Sequence, residues 1–211
     1  MNDTLKFYYD NAESFTANTL NADMSDARNK FLKYVKSRKI LDLGCGAGRD
    51  TLAFSNAGYE VTAMDGCKSL CEQVKKISNA KVLNMTFDAI NFVNEFDGIW
   101  ACASLLHVSS SEIIAILEKV IKSAKYNSPI YMSFKYGEFE GMRNGRFFND
   151  YTEDKFKSLI KNLNLSIAEM WLTEDVRPDR SNKWLNTICI VKQGSNINFE
   201  LKHNCLTPCN N

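Results

Sequence analysis

Apolar positions along this chain follow two alternating rhythms. Short runs dense in Ile, Val, Leu and aromatic residues are followed by stretches in which apolar residues recur every three or four positions. The first kind reads as strands covered on both faces, the second as amphipathic helices. Lys39–Leu43 predicts the first strand, ending at Gly44, and Asp50–Ala57 a helix with Gly58 as its stop. Strands are expected at Tyr59–Met64, Lys81–Met85 and Phe96–Ala103, with a helix over Lys68–Ile77. Ile113, Ile114, Leu117, Val120 and Ile121 share one helical face, with Ser109 or Ser110 as the cap. Pro129 breaks the chain before a strand at Ile130–Phe134. Thr152 reads as the N-cap of a helix through Phe156, Leu159, Ile160 and Leu163, and strands at Ser166–Leu172 and Trp184–Lys192 follow.

Strands and helices in alternation imply an α/β fold, a mostly parallel sheet with helices on both faces. The expected strands number seven. With no internal repeat and no Pro/Gly/Ser linker, residues 1–193 read as one domain, opened by a helical, aromatic-bearing segment over 1–35. Residues 194–211 lose the pattern and read as a tail, partly disordered or a small added strand.

Composition narrows the function classes. A length of 211 residues with 45% hydrophobic and 24% charged positions suits one packed core and excludes a wholly disordered chain. Lys and Arg number 26 against 25 Asp and Glu, a net charge of +1, so bulk electrostatics do not make this a nucleic-acid binder. No run approaches the roughly 18 apolar residues of a membrane helix. The start, MNDTLKFYYD, lacks the basic and apolar regions of a signal peptide. Seven cysteines, none in a Cys-x-x-Cys pair, point to a reduced cytoplasmic setting. Cys67 and Cys71 lie one helical turn apart and read as small packing residues; with only His107 and His203 besides, no metal site is expected.

The chemistry concentrates at Ile40-Leu-Asp-Leu-Gly-Cys-Gly-Ala-Gly-Arg49, the first strand-to-helix turn. Glycines at 44, 46 and 48 allow a tight turn and let a ligand approach bare backbone. The second strand ends at Asp65, about 20 residues on, where a carboxylate accepts both hydroxyls of a ribose. A dinucleotide turn places glycine first, third and sixth; here the third glycine stands fifth and Arg49 sixth, which favours an adenosyl ligand.

LDLGCGAGRD followed by VTAMD resembles the class I S-adenosylmethionine-dependent methyltransferases, over roughly residues 7–192. Phe7–Phe15 is similar to the N-terminal helix that closes as a lid over the cofactor in small-molecule members. Phe96–His107 is similar to their fourth-strand motif, and GRD with SLLHV most resembles the tellurite-resistance-type branch. The resemblance implies a Rossmann-like sheet of seven strands with the last antiparallel, and S-adenosyl-L-methionine as cofactor. It implies that Asp42, Gly44, Cys45, Gly46 and Arg49 border the methionine portion and sugar, and that Asp65 and Gly66 meet the ribose. Phe87 and Asp88 would flank adenine, and Cys102 line the cofactor. Many relatives carry Gly-Gly before strand five; this chain has Ala124–Pro129 there, remote from the cofactor.

A sulfonium methyl is already activated, so transfer needs proximity first and a base only for a protonated acceptor. His107 is the candidate base or acceptor contact. Lys135, Tyr136, Arg143 and Arg146 after strand five, Arg177 and Trp184 between the last strands, and Tyr8 in the lid are the candidate acceptor contacts. Cations among aromatics suggest a small anionic or thiol-like acceptor. DNA is disfavoured: the Asp/Asn-Pro-Pro-aromatic motif of amino-methylating enzymes is replaced by Ala103-Ser-Leu-Leu. An RNA or protein acceptor stays open, as does a non-catalytic cofactor sensor, and the chain is expected to be a monomer or homodimer.

Overall fold

Strand β1 (Lys39–Leu43) shows how the layers assemble. Successive side chains of a strand point to opposite faces. Ile40 packs on one face with Phe31, Phe54 and Trp100, while Leu41 and Leu43 join Ile99, Leu117 and Phe156 on the other. Both faces are therefore covered, which is why the strand carries no polar alternation. The computed structural model describes residues 3–177 and 180–193.

The chain begins with α1 (Asp3–Asp10), α2 (Ala12–Thr19) and α3 (Ser25–Leu32). After β1 come α4 (Arg49–Asn56), β2 (Glu60–Asp65), α5 (Lys68–Ile77), β3 (Lys81–Asn84), β4 (Gly98–Ala101) and α6 (Ile113–Ser123). Then follow β5 (Pro129–Lys135), β6 (Glu140–Arg143), β7 (Arg146–Asn149), α7 (Glu153–Ile160), β8 (Leu165–Glu174) and β9 (Lys183–Val191). The main sheet has seven strands in the order β3-β2-β1-β4-β5-β9-β8. The first five run parallel, and β9 is antiparallel to both β5 and β8. Helices α3, α4 and α5 cover one face, α6 and α7 the other.

Trp100 anchors the first face. It is fully buried, stacks on Tyr131 at 3.8 Å, and meets the edges of Phe31 and Phe54 at 5.3 and 5.5 Å. Its indole N–H donates to Asp50 Oδ2 at 3.0 Å. Arg28 and Arg49 also bond that carboxylate, each at 2.6 Å, so the buried charge is fully partnered.

Three details depart from the sequence reading. The fourth strand is shorter than Phe96–Ala103: Phe96 makes only an isolated bridge to Ala124, and Ala103 turns out of the sheet at φ +51°. Neither Ser109 nor Ser110 caps α6; its N-cap is Glu112, while the Ser109 hydroxyl donates to the Glu112 carboxylate at 2.6 Å. Residues 140–149 form a separate two-stranded hairpin, β6–β7, that the helix-and-strand rhythm does not announce. Thr152 does cap α7, accepting from the Lys155 amide. The tail over 194–211 lies outside the described residues.

Candidate active site

The strand order reverses between β1 and β4, and ligands in such sheets bind at the carboxyl ends beside the reversal. A cavity of about 390 Å³ opens there. Its floor is the turn after β1. The Gly44 and Cys45 amides both donate to the Met64 carbonyl, at 2.8 and 3.0 Å, folding the turn back over β2. Gly44 sits at φ +76°, and a Cβ there would overlap Ser104; one on Gly46 would lie 3.1 Å from the Phe15 ring. Bare backbone at these two positions lets the loop after β4 and helix α2 close on the cavity together.

Asp65 projects from the end of β2 into this space. Its Oδ2 accepts from the Gly46 amide at 3.0 Å and its Oδ1 from the Cys67 amide at 2.8 Å. Burial pushes its pKa up, and these two bonds oppose that shift. Each carboxylate oxygen keeps an acceptor site, enough for a vicinal diol. Gly66 follows, with Leu5 of α1 packed against it. Phe87 and Asp88, in a 3₁₀ turn over Phe87–Ala89, form the next wall.

Asp42 lines the inner end. Burial, with the Asp50 charge nearby, pushes its pKa up to about 7, although Thr51 donates to it at 2.5 Å. A carboxyl raised above its unfolded value holds a proton in the native state that the unfolded chain has released. Its contribution to stability is full below about pH 4 and is lost as pH rises through about 7. Denaturant unfolding of Asp42→Asn should therefore show less loss of stability between about pH 4 and 7 than the parent chain. Equal pH slopes in the two proteins would contradict this. Arg49 runs from Asp50 to Cys102, whose sulfur lies 3.4 Å from Nη2. Burial raises the Cys102 thiol to about 11.

His107 and Tyr8 meet at the mouth. His107 Nδ1 lies 2.6 Å from the Phe147 carbonyl, so that nitrogen carries the proton. Nε2 is then the lone-pair nitrogen, and the Tyr8 hydroxyl donates to it at 2.8 Å. Burial, reinforced by Arg146 and Lys135 against the pull of the Phe147 carbonyl, lowers His107 to about 4. Burial also raises Tyr8. The expected base is thus a neutral imidazole already occupied by a tyrosine.

The other candidates divide sharply. Lys135 and Arg146 line the cavity and have no carboxylate partner among the described residues. Lys135 lies 4.7 Å above the Phe148 ring and reaches only Asn182, at 3.4 Å; burial and Arg143 lower its pKa. Arg146 lies over Phe7 at 4.4 Å and Phe148 at 5.1 Å, and its buried Nε has no hydrogen-bond partner. Arg143, by contrast, is paired with Asp150 at 2.9 and 3.0 Å and lies outside the cavity walls. Tyr136 is exposed and turned away from the cavity. Arg177 and Trp184 line it, but both bond Asp175, at 2.7 and 3.3 Å. Burial opposes ionisation of Asp175, yet the Arg177 bonds outweigh it and hold the carboxyl at about 2.

Several lining residues were not among the site residues expected from the sequence. Phe15 packs on Gly46 and Leu5 on Gly66, Ser104 lies against Gly44, Ser133 reaches Cys102, Phe148 lies against both Lys135 and Arg146, and Asp175 holds the far loop. Phe15 and Ser104 fall inside the segments likened to the lid and the fourth-strand motif, and Asp175 carries a local cue as an acid two residues before Arg177.

This sheet order, glycine turn and ribose-competent carboxylate define a Rossmann-like methyltransferase fold. Residues 40–127 match the family model described as a methyltransferase domain. The probable S-adenosyl-L-methionine-dependent methyltransferase TehB of Haemophilus influenzae is 26% identical over 126 residues, 56% of this chain and 43% of its own. The match thus spans less than half the length of that relative. An uncharacterized methyltransferase of Staphylococcus carnosus is 25% identical over 198 residues, covering 81% of this chain and 91% of its own. The Burkholderia thailandensis 1,6-didemethyltoxoflavin-N1-methyltransferase, solved with 1,6-didemethyltoxoflavin and S-adenosylhomocysteine, superposes with a TM-score of 0.73 at 17% identity, covering 90% of this chain and 85% of that one. Over residues 40–127 the chain thus matches a methyltransferase domain, and in sequence it is similar to methyltransferases that include TehB. Among the described residues no helix is long and apolar enough to cross a membrane.

Proposed function

We propose that this chain transfers a methyl group from S-adenosylmethionine to a small anionic acceptor, a carboxylate, oxyanion or thiolate. The observation that carries this reading is the pair Lys135 and Arg146. Two part-buried cations without a carboxylate partner face the same cavity as the glycine turn and Asp65. An unpaired buried charge is costly, and a bound anion removes that cost.

The residues suit the cofactor. Asp65 has spare acceptor sites for the ribose hydroxyls, Gly44 and Gly46 leave backbone open to the sugar and amino-acid portion, and Phe87 and Asp88 flank the place for adenine. Asp42, Cys45, Arg49 and Cys102 border the inner end. Bound S-adenosylmethionine supplies a methyl group already activated on a positively charged sulfur. What remains for the protein is orientation and exclusion of water. Arg146 and Lys135 fix the acceptor's charge, Phe148 and Tyr8 give it apolar walls, and α1 with α2 covers the opening.

The reading is tested by calorimetric titration with S-adenosylmethionine and S-adenosylhomocysteine, followed by a screen of anionic and thiol metabolites for S-adenosylhomocysteine release. Both cofactor forms should bind, and an anionic acceptor should turn over. A folded protein that binds neither would refute the reading; binding without turnover of any acceptor would identify a sensor instead. In the same assay Arg146→Gln is expected to raise the acceptor KM by about ten- to a hundredfold, the loss of one charged hydrogen bond or slightly more. Cofactor affinity should stay unchanged. Equal loss of both would make Arg146 a structural residue.

A further inference from the structure

The hydrogen bond between Tyr8 and His107 has no part in that scheme, and both residues are part-buried at the acceptor end of the cavity. Their hydrogen bonds leave one arrangement of protons. Phe147 offers only a carbonyl, so His107 must donate from Nδ1. Tyr8 must then donate to Nε2, and its oxygen keeps its lone pairs for whatever enters the cavity. The remaining neighbour of that oxygen, Arg146 Nη1, stands at 3.5 Å, the outer limit of a hydrogen bond. The tyrosine is therefore a fixed acceptor toward the cavity with a proton outlet behind it.

Charge decides when the outlet works. The groups around the imidazole are Tyr8 from α1, Arg146 and the Phe147 carbonyl from β7, Lys135 from β5, and the Phe148 ring at 5.0 Å. Glu112, before α6, also lines the cavity. Two of these neighbours are cations, and they repel a proton arriving on His107. An anion lying between Arg146 and Lys135 cancels that repulsion.

We propose that the Tyr8 hydroxyl takes the acceptor's proton while passing its own to His107, and that the acceptor's negative charge, held by Arg146 and Lys135, is what enables this transfer. The proposal rests on the methyl-transfer reading above and assigns a catalytic residue and the positioning residue behind it. In the step, the acceptor's X–H bond breaks and its proton goes to Tyr8 Oη. The Tyr8 O–H bond breaks and that proton goes to His107 Nε2, giving an imidazolium. The pair left on X forms the new bond to the methyl carbon, and the old carbon–sulfur pair stays on sulfur. The consequence is selectivity: an acceptor with a titratable X–H reacts when it also carries an anionic group, and its uncharged analogue does not.

The test is an imidazole NMR titration of the whole chain saturated with S-adenosylhomocysteine, with benzoate and inorganic phosphate as separate anionic probes. Disappearance of a signal in His107→Gln separates His107 from His203. Without a probe, His107 should stay neutral down to about pH 5. With a bound probe its midpoint should rise by about one pH unit or more, the effect of neutralising nearby like charge. Arg146→Gln should lose the probe-dependent rise. Tyr8→Phe keeps the ring packing and removes the hydroxyl; kcat for the screened acceptor should fall about a hundredfold, the usual scale of a general base, with KM nearly unchanged. A midpoint that ignores a bound anion, failure of both probes to bind, or full kcat in Tyr8→Phe would overturn the proposal. Failure of S-adenosylhomocysteine itself to bind would instead strike the methyl-transfer reading, and the same calorimetric sample reports it.

Discussion

Replacing Asp65 by alanine is expected to weaken S-adenosylmethionine binding by about 1–3 kcal/mol, roughly ten- to a hundredfold in Kd. Two losses combine in that figure. The part-buried carboxylate no longer meets the ligand, and the Gly46 and Cys67 amides lose the acceptor that holds the glycine turn against the start of α5. Asp65→Asn separates them, because its one carbonyl oxygen serves a single amide and its NH2 group offers no acceptor. It should fall near the alanine variant in affinity while unfolding closer to the parent. Calorimetry with both variants gives the first number and urea unfolding the second. Unaltered affinity in a folded Asp65→Ala protein would remove Asp65 from the cofactor site.

The largest effect on stability is expected at Trp100. Truncation to alanine should cost about 3–5 kcal/mol, the range for emptying a large aromatic site in a core. The residue is fully buried among Tyr131, Phe31 and Phe54, so the space cannot be filled from solvent. It also supplies one of the donors that neutralise Asp50, leaving Arg28 and Arg49 to hold that charge. In a chain of this size the midpoint of thermal unfolding should drop on the order of 10 °C. Trp100→Phe keeps most of the stacking and loses the donor, which isolates a contribution of about 1–3 kcal/mol for a bond to a charged group. A cost below about 1 kcal/mol for the alanine variant would mean that α3 and α4 collapse onto the sheet more freely than close packing allows.

What the sequence revealed and what it hid follow from the range of the forces involved. The glycine turn, β1, β2 and Asp65 are legible because each depends on neighbours a few positions away: a strand's apolar run, a backbone that needs positive φ, a carboxylate at a strand end. The β6–β7 hairpin was legible in principle. Asn144 and Gly145 sit at φ +52° and +75°, the type I′ turn that Asn-Gly favours between strands. Its four-residue strands lack a clean alternation, so the rhythm that found the main sheet passes over them. Tyr136 and Arg143 show the opposite limit. Composition alone makes Arg143 and Arg146 equivalent, and they even face each other across the hairpin. Only the folded chain brings Asp150 to one and leaves the other uncompensated. Lys135 and Tyr136 are adjacent, yet the pleat sends one to the cavity and the other to solvent. His107 likewise stands out as a lone histidine near the site, but its partners lie 99 and 40 positions away.

Helices α1 and α2 contribute Leu5, Tyr8 and Phe15 to the site, yet each has a single buried residue, Thr4 in one and Ala12 in the other. Strands β4 and β5 beneath them are buried almost throughout. With so few buried side chains to hold it, this cover is expected to open locally at less free energy than the sheet, and faster amide exchange over residues 3–19 than in β4 and β5 would check it. If residues 3–19 open in this way, a ligand held only under them reports two equilibria at once, its own contacts and that closure. Its apparent dissociation constant equals the intrinsic one divided by the closed fraction. Substitutions on the outer surface of α1 and α2, with no atom near the cavity, are then expected to act as affinity substitutions, tightening or loosening every ligand held under the cover by the same factor.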